Sequence, residues 1–193
     1  MKLIIASNNN HKIHEIKQIL SGKFDEILSL SQAGVTHETV EDGATFQANA
    51  LKKAREIAHI TGCATLADDS GLCVNALDGA PGIISARYAG GGVNHSTDAE
   101  NNTLLLKNLS GKEDRSAYFI CVVALVYPNG EELVAEGYMH GEIIDSPRGL
   151  KGFGYDPIFI PNGENRTAAE LSDDEKNAIS HRGKALRNLL SKI

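Results

Sequence analysis

The hydrophobic positions of this chain fall into two periods, and the points where one period gives way to the other mark its elements. Lys2-Leu3-Ile4-Ile5-Ala6 is a short apolar run and reads as a buried strand. After polar Ser7-Asn8-Asn9-Asn10-His11-Lys12, Ile13, Ile16, Ile19 and Leu20 recur at helical spacing, with Gly22 placed to stop the helix. Glu26 to Leu30 predicts a second strand, and Ser31 to Gly43 is polar and irregular. Residues 44–61 return to helical spacing, with Phe46, Ala50, Ala54, Ile57 and Ala58 on one side and Gly62 as the stop. Ala64 to Ala67 predicts a strand ending at Asp68-Asp69, then a turn at Ser70-Gly71 and a further strand at Leu72-Cys73-Val74. Thr97 and Glu100 have capping-box spacing ahead of Leu104, Leu105, Leu106 and Leu109, a third helix ended by Gly111. Ala117 to Tyr127 is the longest apolar stretch, a long central strand. Pro128-Asn129-Gly130-Glu131 predicts a hairpin, and Glu132 to Ile144 its returning strand. Ile158-Phe159-Ile160 is a late strand. Ser172 and Glu175 box the start of a last helix carrying Ala178, Ile179, Ala185, Leu186, Leu189 and Leu190. Gly183 inside that helix costs about 1 kcal/mol relative to Ala, which points to close packing or a close ligand.

Composition narrows the classes. At 193 residues the chain suits one large domain or two lobes sharing a sheet. Lys plus Arg is 19 against 25 for Asp plus Glu, a net −6, which argues against a nucleic-acid binder but not against a small phosphate ligand. There is no Trp, so no broad aromatic surface is expected. Cys63, Cys73 and Cys121 lie far apart without metal spacing, so reduced thiols and a cytoplasmic setting are expected. The chain starts directly on a strand pattern without a signal-peptide profile, and no apolar run reaches membrane-spanning length.

Three stretches carry chemistry. Asp68 and Asp69 are adjacent carboxylates that point to opposite faces if strand geometry holds through both. Such acids can hold a divalent cation, and one can take a proton from water. Ser7 to Lys12 join a strand to a helix start, where unpaired N–H groups favour anions, although this is not a glycine-rich phosphate loop. Asn49 and Lys53 sit four apart and share a helical face, and Glu41 lies in the acidic cluster before that helix, where it either caps the helix or reaches a metal. Late in the chain, Gly152 and Gly154 bracket Phe153 ahead of Tyr155 and Asp156. Glycines let a planar ligand approach the backbone, and an aromatic ring can stack on a base.

These residues together resemble the inosine triphosphate pyrophosphatase family, the non-canonical purine NTP pyrophosphatases. The matching stretches are Ser7 to Lys12, Glu41-Asp42-Gly43 with Phe46 to Ala54, Ala67 to Leu72, Gly79 to Tyr88, Phe153 to Pro157 and Ser180 to Leu186, in order along nearly the whole chain. The family's first loop usually reads Thr-Gly-Asn-x-x-Lys. Here Ser7 keeps the hydroxyl, Lys12 keeps the charge, and Asn8 replaces a glycine. The resemblance implies an α/β fold, two-lobed around a long mixed β-sheet with a substrate cleft between the lobes, together with a homodimer and Mg²⁺ dependence. The substrate it implies is a purine nucleoside triphosphate, cut to the monophosphate and pyrophosphate, with neither nucleic acid nor membrane as partner. It assigns Asp69 as general base and Glu41, Asp69 and Asp68 as the metal set. Ser7, Asn8, Asn9, Asn10, His11, Lys12 and Lys53 would hold phosphates, and Ser70 would touch substrate beside the base. Phe153, Gly154, Tyr155, Asp156, Lys176, His181 and Arg182 would surround the purine.

Hypoxanthine and xanthine carry a C6 carbonyl where adenine carries an amino group, so a donor such as Arg182 rewards the former and leaves adenine's donor facing a donor. A surface ion pair of Arg182 with Asp173 or Asp174 is the plainer alternative. Asp69-Ser70-Gly71 also matches the aspartic-protease signature, but those proteases are β-rich and this chain has four helical patterns. A nucleotide sensor of the same fold would need no general base, and the acidic pair argues against it.

Overall fold

Helix α1 (Asn10–Ile19) begins where a side chain supplies what the backbone lacks. Asn9 Oδ1 accepts from the N–H groups of His11 and Lys12 at 3.0 and 3.1 Å. The same logic opens α3 (Asp98–Asn108) and α4 (Asp173–Ile179), where Thr97 with Glu100 and Ser172 with Glu175 form the expected capping boxes. Thr45 caps α2 (Phe46–Thr61), and Gly62 ends it in the left-handed conformation.

The structure is a computed structural model that describes residues 1–193. Its six strands are β1 (Lys2–Ile5), β2 (Glu26–Ser29), β3 (Ala64–Val74), β4 (Ser116–Val126), β5 (Glu132–Ile143) and β6 (Phe159–Pro161), and they form one sheet in the order β2-β1-β3-β4-β5-β6. β1 pairs parallel with β2 and with β3, through Leu3↔Ile27 and Ile4↔Thr65 for example. β5 and β6 are antiparallel, so the sheet is mixed, as expected. The β4–β5 hairpin closes on Tyr127 N–H to Glu131 C=O at 2.9 Å. No helix is long and apolar enough to cross a membrane.

The chain divides into two compact units. The first comprises 1–69, 121–137 and 181–193; the second comprises 70–120 and 138–180. In the first, Leu3, Ile5, Ile16, Leu66, Val123, Leu186 and Leu189 are buried together. In the second, Leu72, Val74, Leu105, Leu109, Phe119, Met139 and Phe159 form the core. Phe119 and Phe159 meet edge to face with centroids 4.8 Å apart.

Two sequence expectations fail. No turn occurs at Ser70-Gly71: β3 is one 11-residue strand that runs through Asp68, Asp69, Ser70 and Gly71 to Val74. Leu66 of that strand is buried in the first core and Leu72 in the second. The last helix is likewise two, α4 and α5 (His181–Leu190). Buried Ser180 between them is extended (ψ 155°), where the chain leaves the second unit for the first.

Candidate active site

Lys12, two residues into α1, is only 15% exposed, and its ammonium lies 3.0 Å from Asp68 Oδ2. Arg182, the second residue of α5, is 1% exposed. Its Nε and Nη2 donate to that same oxygen at 3.3 and 3.2 Å, and its Nη1 donates to Glu15. Arg182 therefore does not sit at the surface with Asp173 or Asp174. Burial alone would raise the Asp68 pKa, but Lys12, Arg182 and Lys53 override it and hold the carboxyl well below the usual range. Burial likewise works against the charge on Lys12, and Asp68 and Asp69 hold its pKa above the ordinary value. Asp68 Oδ1 is buried without a hydrogen-bond partner. The Cys121 thiol lies 3.9 Å from Asp68 Oδ2; burial, with Asp68 adding, pushes its pKa up to about 12.

Asp69 has the opposite electrostatics. Burial is the largest influence and raises its pKa; Lys53 and Lys12 pull it down, and Glu41 pushes it up again. Asn49 Nδ2 donates to Asp69 Oδ2 at 3.0 Å, while Asn49 Oδ1 accepts from Gly43 N–H at 2.8 Å. One side chain of α2 thus ties the acidic stretch before that helix to the central strand. Lys53, one turn further on, places Nζ 2.8 Å from Glu41 Oε1. Two neighbouring carboxyls on one strand are so shifted in opposite directions, Asp68 down by its cations and Asp69 up by burial. Both belong to the first unit, as do Glu41, Lys53 and Ser7 to Lys12.

Ser7 is half-buried, with its Oγ accepting from Asn9 N–H at 3.2 Å, and Asn8, Asn9 and Asn10 are exposed. Asn8 needs no left-handed backbone, because Asp78 alone among non-glycine residues has positive φ. The glycine usual at that position is therefore replaced without strain.

In the second unit, Lys176 Nζ lies 2.6 Å from Asp156 Oδ2 and 5.0 Å from the centroid of the Phe153 ring. Phe153 N–H donates to the same Asp156 oxygen at 3.0 Å. Tyr155 is buried, with its hydroxyl donating to Ser85 C=O at 2.8 Å. Ser70 belongs to this unit, and His181 is buried at the start of α5 in the first.

No group of three or more His, Cys, Asp or Glu side chains is assembled for a metal. Glu41 and Asp69 nonetheless make a fitting pair for Mg²⁺, which takes one or two carboxylates and completes its shell with water and phosphate oxygens. Both offer hard oxygens, and Glu41 is close enough to Asp69 for its charge to push the Asp69 pKa up. Asp68 Oδ2 already faces two cations, while its Oδ1 is buried without a hydrogen-bond partner.

Glu15 was not singled out by the sequence, and Asn49 was placed only on the face it shares with Lys53, without a role. For Glu15 a signal existed: it is a charge on the stripe Lys12-Glu15-Ile16-Ile19, and it is buried.

A depressed acid beside two cations, a raised acid near a lysine and an asparagine-capped helix start are features that suit a phosphate-handling hydrolase. Residues 3–192 match the model of the Ham1 family, and the chain belongs to that family. A dITP/XTP pyrophosphatase of Clostridium perfringens is 49% identical over 196 residues, covering 97% of this chain and 95% of that protein. Another dITP/XTP pyrophosphatase, of Exiguobacterium sp., is 49% identical over 193 residues, 100% of this chain and 97% of its own length. The solved structure of a HAM1 protein from Coxiella burnetii superposes with a TM-score of 0.87 at 43% identity, covering 100% of both chains.

Proposed function

We propose that this chain hydrolyses non-canonical purine nucleoside triphosphates (ITP, dITP and XTP) to the monophosphate and pyrophosphate, by water attack on the α-phosphorus. The observation that carries the reading is Asp69, a buried acid of raised pKa on a rigid strand, held by Asn49. A base poised nearer the working pH both removes a proton readily and is regenerated readily. Asp69 takes the proton of the attacking water. The N–H groups at the start of α1, with Lys12 and Lys53, hold the phosphates. Mg²⁺, when bound through Glu41 and Asp69, would neutralise charge developing on the phosphate oxygens. Phe153 is the stacking surface for the purine, with Lys176 and Asp156 fixing its setting; the resemblance assigns Arg182 and His181 as donors for the C6 carbonyl, although Arg182 Nε, Nη1 and Nη2 already face Asp68 and Glu15. The resemblance further supports a homodimer, and the free thiols fit the cytoplasm.

Reaction of ITP in ¹⁸O-water tests the chemistry: the label is expected in the monophosphate, and label in pyrophosphate would overturn attack at the α-phosphorus. A panel with dITP, XTP, ATP and GTP tests the substrate class. Activity is expected to vanish with EDTA and return with Mg²⁺, and Glu41→Gln to raise the Mg²⁺ concentration giving half-maximal rate. Full turnover in excess chelator would exclude the metal.

The acid limb of the profile of kcat/KM against pH is assigned to Asp69. Activity requires the carboxylate, so the rate falls as pH drops through its raised pKa. The Asn49 hydrogen bond favours the charged form. Asn49→Ala is therefore expected to move the limb to higher pH, and an unmoved limb would take the assignment away from Asp69.

A further inference from the structure

The stretch 152–156 is fixed from two directions. On one side, Asp156 Oδ2 takes the Phe153 N–H, and a Cβ on Gly152 would stand 2.2 Å from that oxygen. On the other side, Gly154 sits at φ +63°, and both of its backbone groups are held by a single helix. Its N–H donates to Asp98 Oδ2 at 2.7 Å, and its C=O accepts from Asn102 Nδ2 at 3.1 Å. Asp98 and Asn102 are four residues apart on α3, so they present one face. The helix behind them is itself rigid: a capping box starts it, and Leu105 and Leu109 are fully buried in the core that contains Tyr155. Asn102 is 8% exposed, and its Oδ1 is buried without a partner. A buried amide that leaves its acceptor unsatisfied while its donor holds one carbonyl calls for an explanation beyond packing.

We propose that Asp98 and Asn102 are positioning residues for the purine: by holding Gly154 at both its N–H and its C=O they fix the pose of the Phe153 ring before substrate arrives. The proposal rests on the reading of Phe153 as the stacking surface. A platform already ordered loses little further freedom on binding, so the clamp acts on affinity rather than on the reacting phosphate. Neither side chain takes part in the proton transfer or the phosphate contacts, so kcat is set elsewhere.

The test is steady-state kinetics with ITP on Asp98→Ala, Asn102→Ala, Asp98→Asn, Phe153→Ala and the double variant Asp98→Ala/Phe153→Ala. Phe153→Ala is expected to raise KM about 10-fold or more, the scale of base stacking on an aromatic ring. Asp98→Ala and Asn102→Ala are each expected to raise KM about 3- to 10-fold, the scale of one hydrogen bond, with kcat nearly unchanged. Asp98→Asn keeps an oxygen for the Gly154 N–H and is expected to restore KM. The double variant is expected to match Phe153→Ala, because the clamp has no platform left to position. Asp98 is exposed, so its variants keep the test open if Asn102→Ala fails to fold. Unchanged KM in both alanine variants beside a raised KM in Phe153→Ala would overturn the clamp and leave the platform standing. A full Asp98→Ala effect in the Phe153→Ala background would overturn the route through the ring. An unchanged KM in Phe153→Ala would overturn the platform, and the clamp with it.

Discussion

Asp69→Asn is expected to lower kcat by about 10²- to 10⁴-fold, the scale of removing a general base, while KM for ITP stays close to that of the unaltered protein. The substitution keeps shape and keeps an oxygen for the Asn49 donor, so the strand and its neighbours are undisturbed. It removes the capacity to accept a proton and also weakens the Asp69 share of the Mg²⁺ pair, so both proteins are assayed at saturating Mg²⁺. Stability moves the other way. A carboxyl whose folded pKa is raised opposes folding whenever it is ionised, that is, above its folded pKa. At neutral pH the neutral amide is therefore expected to melt no lower than the native protein. Turnover of ITP near the native rate would remove Asp69 from the mechanism. A marked loss of melting temperature would show that its charge supports the fold.

Arg182→Ala is expected to destabilise by about 3–5 kcal/mol, measured by urea unfolding, because it takes a buried cation away from both Asp68 and Glu15. A surface pair with Asp173 or Asp174 would have cost at most about 1 kcal/mol. Glu15→Gln keeps an acceptor for Nη1 and is expected to cost less. The reading of Arg182 as donor to the C6 carbonyl makes a separate claim. It expects kcat/KM for ITP to fall roughly 10- to 150-fold more than for ATP, the scale of one charged hydrogen bond. Both nucleotides are assayed at a temperature where the variant is folded. An equal fall for the two would leave Arg182 as the cation that holds Asp68 and deny it the base.

The elements legible in the sequence were those written locally. Gly62 after α2, Thr97 with Glu100, Ser172 with Glu175 and the Tyr127–Glu131 hairpin each carry their whole signal within a few residues. β3 was misread because two adjacent acids and a Ser-Gly pair resemble a turn unless their partners are known. Those partners, Lys12 on α1, Arg182 on α5 and Asn49 on α2, come from remote parts of the chain. The break at Ser180 was hidden because the apolar spacing on either side suits one continuous helix. Asn49 and Lys53 were placed on a common face by their spacing, while Glu41 was left between capping α2 and reaching a metal held by the central acids; its ion pair with Lys53 was not foreseen. The clamp on Gly154 left no trace in the pattern, since its partner is a backbone group and any residue has one.

The uninterrupted course of β3 bears on how this protein's substrate range can be redirected. Many enzymes seat their reactive group on a loop, which drifts as the loop is lengthened or exchanged. Here Asp69 is mid-strand, in a sheet that places β1 on one side of β3 and β4 on the other. An insertion of one residue between Leu66 and Asp68 would invert the facing of every later side chain of the strand, exchanging the environments of the two acids and turning Leu72 out of its core. Laboratory evolution toward other nucleotides is thus expected to collect its changes around Phe153, Asp98 and Asn102, with 64–74 invariant in length. Backbone amides of that strand are expected to exchange with deuterium only on global opening, which would put the carboxyl proposed as the base in the slowest-breathing part of the molecule.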